Sequence, residues 1–210
     1  ISSFADTPVY RSGSIQAPET EPQTEQMRIW HLLTHTSGLT YGFHNSHATD
    51  AIYRNAGFEW GAPAGLDLEA TCNGWAELPL VFQPGTEWNY GVSTDVLGRI
   101  VEVVSGQSLD VFLRERILDP LGMNDTEFWV PEDKQDRFAS LYFRNPSTKQ
   151  ATKMRTPSLR SKPTMLSGGG GLCGTATAYL RFSQMLLNKG QLDGVRVLGS
   201  RTVDYMTRNH

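Results

Sequence analysis

The stretch Ile29-Trp30-His31-Leu32-Leu33-Thr34-His35-Thr36-Ser37-Gly38-Leu39 crowds histidines, threonines and a serine together. These are the groups that ligate metals, carry protons and attack carbonyl carbons. His31 and His35 have the i, i+4 spacing of the HExxH zinc motif. However, Leu32 stands where that motif places its general-base glutamate, and Thr36-Ser37-Gly38 would end the helix directly after His35. His44 and His47 could add ligands, so a metal-dependent enzyme stays open beside the reading of core or capping histidines. A serine hydrolase of the α/β type needs a G-x-S-x-G elbow. Gly91-Val92-Ser93-Thr94-Asp95 fails at its last position, and Ser93 is better explained as a helix cap. The run SGGGGLCGTA at 167–176 lacks the lysine of a Walker loop, and its glycines read as a close approach of backbones. Tyr90 lies just before the start of an amphipathic helix. It is either a core ring or a base, because a positive neighbour and a helix N-terminus both favour phenolate.

Several elements would position these groups. Residues 5–26, rich in Pro, Thr, Ser, Gln and Glu, read as a surface loop without periodicity. A short helix is expected over Met27–Leu33, an ordered aromatic loop over 40–66 with a helix near 48–56, and a helix over 67–82 with Leu66, Leu68, Cys72, Trp75 and Leu78 on one face. Pro84-Gly85 is a turn. Ser93 or Thr94 is expected to cap the next helix, whose apolar stripe is Val96, Leu97, Ile100, Val101 and Val104 and which closes at Ser105-Gly106. A second helix, capped by Ser108 and stopped by Pro120, completes an αα-hairpin. Phe128-Trp129-Val130 and Leu141-Tyr142-Phe143 are strand candidates, and 144–164 reads as polar and irregular. A helix over Thr175–Lys189, a tight turn at Leu192-Asp193-Gly194-Val195 and a last helix from Ser200 follow.

The bulk numbers exclude some classes. With 210 residues and 39% hydrophobic content the chain can bury a core without staples. A net charge of -3 gives no electrostatic case for nucleic acid as a partner. No apolar run approaches the roughly 18 residues of a membrane span. Cys72 and Cys173 stand outside any CxxC pattern and read as free, mostly buried thiols. The opening ISSFADTPVY has neither an initiator Met nor a basic start followed by an apolar block, and RTVDYMTRNH stops inside a helical pattern. The expectation is a piece of a larger protein whose compartment is not legible here.

IWHLLTHTSGL, FQPGTEWNYGVSTDVLGRIVEVVSGQSLDVFLRERILDPLGM and SGGGGLCGTATAYLRFSQMLLNKG together resemble the serine β-lactamase and penicillin-recognising superfamily, closest to its class C-like family VIII carboxylesterases. The resemblance implies an α+β, β-lactamase/transpeptidase-like fold, with residues 1–210 as the central portion of a single domain. This portion would be mainly the helical subdomain with short strands of the sheet. It further implies a serine nucleophile in S-x-x-K, a proton-relaying tyrosine matched here by Tyr90, a third motif such as K-T-G, H-x-G or W-G-G, and no cofactor or metal. HLLTHTSGL is then a landmark beside the site, and His31, His35 and Ser37 pack and cap.

The departures matter as much. No S-x-x-K occurs: Ser158-Leu159-Arg160-Ser161 has Ser where Lys belongs, with Lys162 one step late. No K-T-G or W-G-G follows Tyr90, and Val92 replaces the asparagine of Y-x-N, which leans toward an esterase over a lactamase. The expectation is therefore the central part of a serine hydrolase acting on small esters or amides through an acyl-serine, inactive alone. It would be prone to self-association through surface left by missing segments. A non-catalytic penicillin-binding-like module, and a β-lactamase or D-amino peptidase of the same superfamily, are the alternatives.

Overall fold

The computed structural model describes residues 1–154 and 157–210; positions 155–156 of the irregular stretch lie outside the described residues. The chain divides into two compact units. One comprises 1–113 with 164–170 and 208–210, the other 114–163 with 171–207.

The first unit opens with a hairpin where a loop was expected: β1 (Val9–Ser14) pairs antiparallel with β2 (Ala17–Glu21). Only Val9 of the pair is buried, so neither strand shows the apolar alternation by which a strand is recognised. Val9 bridges Leu80, which fixes the hairpin to the core. Helix α1 (Ile29–Leu33) is shorter than its pattern and buries His31 and Leu32, while Ile29, Trp30 and Leu33 stay exposed. Helix α2 (Ala48–Asn55) forms as predicted. Helix α3 (Leu68–Ala76) buries Leu68, Cys72 and Trp75 as spaced but ends well before residue 82. Pro79 explains the early stop, since the residue before a proline disfavours helix.

Helix α4 (Ser93–Ser105) packs on α1, α3 and α5 (Leu109–Leu113). Its N-cap is Val92, with no side-chain cap, so neither Ser93 nor Thr94 caps it. Ser93 is instead the first helical residue, and its hydroxyl is used elsewhere. Of the predicted stripe only Val96 is fully buried; Val104 is 81% exposed. Gly106 closes the helix in the left-handed region at φ 70°, as its position predicts. Segment 164–170 crosses α4 closely: a Cβ at Gly168 would lie 2.6 Å from the Thr94 carbonyl oxygen, and one at Gly169 would lie 2.8 Å from Asp95 Oδ2. The close approach read from the glycine run holds at these positions, whereas Gly170 faces open space.

In the second unit, Arg114–Leu118 forms a π-helical turn. The core gathers Leu118, Leu121, Met123, Phe128, Ala178, Met185 and Val203. Phe128-Trp129-Val130 is not a strand: one bridge joins Glu127 to Cys173, and Val130 N–H bonds the Leu159 carbonyl. Strand β3 (Tyr142–Arg144) pairs with β4 (Ala151–Lys153), which lies in the stretch read as irregular. Thr175 caps α6 (Ala176–Leu187) by accepting from Ala178 N–H. The tight turn joins β5 (Gln191–Leu192) to β6 (Val195–Arg196), with Asp193 at φ 49° and Gly194 at φ 81°, the paired positive φ of a type I′ hairpin. Helix α7 (Ser200–Met206) follows.

Candidate active site

Tyr90 is held by two segments stitched side by side. Helix α1 ends at Thr34, and His35 turns the chain with φ 55°, so His31 and His35 do not share a helical face. The segment that follows bonds to 81–93 at successive points. Gly85 N–H donates to Thr36 O (2.7 Å), Asn89 N–H to His35 O (2.9 Å), Asn89 Nδ2 to Leu39 O (3.0 Å) and Val81 N–H to Gly38 O (2.8 Å). The Ser37 and Ser93 hydroxyls, both buried, bond each other at 2.8 Å. Gly91 permits the closest approach, because a Cβ there would lie 2.3 Å from Leu39 O.

These contacts decide what each hydroxyl and imidazole can do. Ser93 is fully buried and bonded, so it cannot reach a carbonyl carbon. His31 is fully buried; its Nδ1 accepts the Arg28 N–H at 3.0 Å, and its Nε2 would lie 2.9 Å from a Cβ at Gly85. Burial lowers its pKa, so the ring is neutral and structural at neutral pH. The His35 ring lies against Tyr90 at 5.1 Å between centroids and against Trp88 at 6.2 Å, and burial lowers its pKa too. His47 caps α2 by accepting from Thr49 N–H.

Tyr90 itself is 45% exposed, three residues before the first turn of α4. Its neighbours include Tyr41, which the sequence did not mark, and His44, which it marked only as a candidate metal ligand. The Tyr41 ring lies at 5.4 Å between centroids, and His44 lies at 6.5 Å. Burial, then the charge of Asp95, then Tyr90 itself push the Tyr41 pKa above its ordinary value. Tyr41 is therefore a protonated phenol beside the Tyr90 ring. Asp95 accepts from Ser167 Oγ and from Gly169 N–H (3.1 Å); burial raises its pKa against these bonds. A Cβ at Gly169 would meet both Asp95 Oδ2 (2.8 Å) and the Tyr41 hydroxyl (3.3 Å), which places the buried carboxylate, Tyr41 and Tyr90 in sequence. The usable signal for Tyr41 was the density of aromatics over 41–60, which has no period to separate site from core.

The arrangement can accept and return a proton at an exposed phenol braced by a second one. In the second unit, a cavity of about 400 Å³ is lined by Trp129, Phe138, Cys173, Lys134 and Arg137. Its lysine and arginine are both paired with Asp125. Burial pushes the Cys72 thiol up to about 12 and also raises Cys173, so neither is poised as a thiolate nucleophile.

A family model described as Beta-lactamase matches residues 5–209. The chain belongs to the beta-lactamase family. Within that family it is 40% identical over 187 residues to Protein Rv1367c of Mycobacterium tuberculosis, covering 89% of this chain and 45% of that protein. It is 33% identical over 202 residues to lovastatin esterase of Penicillium rubens, covering 93% and 47%. The LovD6 mutant of simvastatin synthase from Aspergillus terreus matches with a TM-score of 0.77 at 28% identity, over 97% of this chain and 47% of that one. The chain spans about half the length of the curated relatives it matches. As a beta-lactamase-family member its fold is α+β and β-lactamase/transpeptidase-like, as the three quoted segments implied.

Proposed function

We propose that Tyr90 is the proton-relaying tyrosine of an acyl-serine carboxylesterase, and that residues 1–210 form the central, mostly helical portion of it. The observation that carries the reading is the exposed Tyr90 phenol, fixed between Asn89 and Gly91 and set with its ring 5.4 Å from that of the protonated Tyr41. In this reading a serine of an S-x-x-K segment, which this sequence does not contain, adds its Oγ to the ester carbonyl. Its proton passes to the Tyr90–lysine pair and then to the departing alkoxide, leaving an acyl-serine and free alcohol. Water then adds to the acyl carbon under the same base, releasing the acid and returning the proton to the serine. The name of the lovastatin esterase relative supports an ester as substrate.

Two measurements test this. In the full-length protein, a fluorophosphonate should label one serine, and Tyr90→Phe should lower kcat for a chromogenic acyl ester by about 10²–10⁴-fold. Residues 1–210 alone should give no turnover; turnover by them that Tyr90→Phe abolishes would overturn the reading. Self-association of 1–210 belongs to the same reading. The exposed Ile29, Trp30 and Leu33 on α1 support it, and sedimentation over a concentration series tests it.

A further inference from the structure

Tyr90 stands at one end of a run of rings. Tyr41 lies beside it at 5.4 Å. Phe43 stacks on Tyr41 (4.8 Å, 19° between planes), and Trp60 stacks on Phe43 (5.2 Å, 15°). Trp60 is 79% exposed, so its outer face is not used to fold the unit. Singly exposed apolar residues need no explanation, but a contiguous aromatic face joined to a candidate catalytic group does.

The face is firmly mounted. The Arg54 guanidinium donates to the carbonyls of Gly42 and His44 on either side of Phe43. Asp50 accepts from Thr40 Oγ1 (2.9 Å), Ser46 N–H (3.0 Å), Ser46 Oγ (3.2 Å) and His47 N–H (2.9 Å), which fixes both ends of the loop. Gly42 sits where a Cβ would be 2.5 Å from Phe58 O, so the loop lies flat on the segment that delivers Trp60. A preorganised aromatic surface binds apolar groups without the cost of ordering itself.

We propose that the Phe43–Trp60 face is the subsite for the apolar arm, a long alkyl chain or a flat ring system, of the ester cleaved beside Tyr90. The inference rests on the acyl-serine reading for its chemistry and on the ring run for its place. Ring-to-ring steps of 5.4, 4.8 and 5.2 Å lead from Tyr90 to Trp60, so an acetyl group beside Tyr90 meets only the start of the face, whereas a decanoyl chain or a naphthyl ring extends along it. The site therefore selects esters with a large apolar arm.

The test uses the full-length protein with Trp60→Ala and Phe43→Ala. Two pairs of esters separate the sides of the bond: p-nitrophenyl decanoate against acetate lengthens the acyl group, and 2-naphthyl against phenyl acetate enlarges the alcohol. In at least one pair, each substitution should lower the large-to-small ratio of kcat/KM tenfold or more, through KM. Ratios unchanged in both pairs overturn the subsite. So does an equal loss on all esters with a fall in Tm, which would show that the rest of the protein covers the rings. Calorimetric titration with decanoate and 2-naphthol, the products, reads the subsite without turnover. If the wild type binds them and both substitutions weaken binding tenfold while no ester is hydrolysed, the acyl-serine reading falls and the subsite stands. Binding that neither substitution changes overturns the subsite whatever the turnover.

Discussion

Around Tyr90 several polar side chains are buried and bonded to one another, whereas in the unit of 114–163 and 171–207 the main side-chain pairs are partly exposed ion pairs. Ser37 meets Ser93 and Thr40 meets Asp50 in the interior, and the buried Asp95 meets Ser167 and Gly169 N–H at its edge. In the other unit Asp125 meets Lys134 and Arg137 at 2.9 Å each, and Lys189 meets Asp204 at 2.6 Å, all with substantial exposure. A buried polar group that loses its partner bears its full desolvation cost, while a surface pair exchanges one wet partner for another. The first arrangement therefore specifies one geometry for its loops. The second tolerates many.

The sharpest way to break this contrast is Asp50→Ala. It strands several donors at once and should cost about 3–5 kcal/mol, read as a lower urea midpoint with an unchanged m-value. A loss under 1 kcal/mol would mean the loop over 40–47 is not held by that carboxylate. Gly91→Ala drives a methyl into Leu39 O and should cost about 2–3 kcal/mol while displacing Tyr90. Ser37→Ala should cost about 1–2 kcal/mol, and the Ser37→Ala/Ser93→Ala pair less than the sum of the single changes.

Asp95 predicts a slope. Its folded pKa is raised, so the folded state binds the proton more tightly, and stability falls as pH rises from about 4, the unfolded value, through the folded pKa. Asp95→Asn should flatten that slope, and a wild type with no such decline would show that its hydrogen bonds outweigh burial. The smallest effect is Asp125→Asn. Hydrogen bonds from Arg137 and Lys134 pull this carboxyl down to about 2. Its contribution is thus complete above about pH 4 and is lost as pH falls through 2. Because the group is in water, the urea midpoint at neutral pH should not move measurably; a clear drop would break the contrast between the units.

Features set by local sequence were legible, and those set by long-range contacts were not. Helix α2, the buried face of α3, helix α6 and the Asp193-Gly194 turn were all readable, since each rests on local spacing or local φ preference. The β1–β2 hairpin was not, because neither of its faces is buried and no alternation marks it. The start of α4 was misassigned because Ser93 and Val92 have locally plausible roles that the partner Ser37, 56 residues away, reverses. Trp30 and Val104 look like core in the sequence and are exposed.

At the site, residue order was enough to show that Tyr90 precedes a helix, that HLLTHTSGL accompanies it, that no S-x-x-K is present, and through these the family. Local chemistry and short-range spacing are written in residue order. That Ser93 is locked away, that His35 flanks the phenol while His31 is walled in, and that Tyr41, Phe43 and Trp60 form one surface beside it were decided only by tertiary structure. Those facts depend on close approaches at Gly42, Gly91 and Gly169 between segments far apart in the chain, and no local pattern encodes which backbones will meet there.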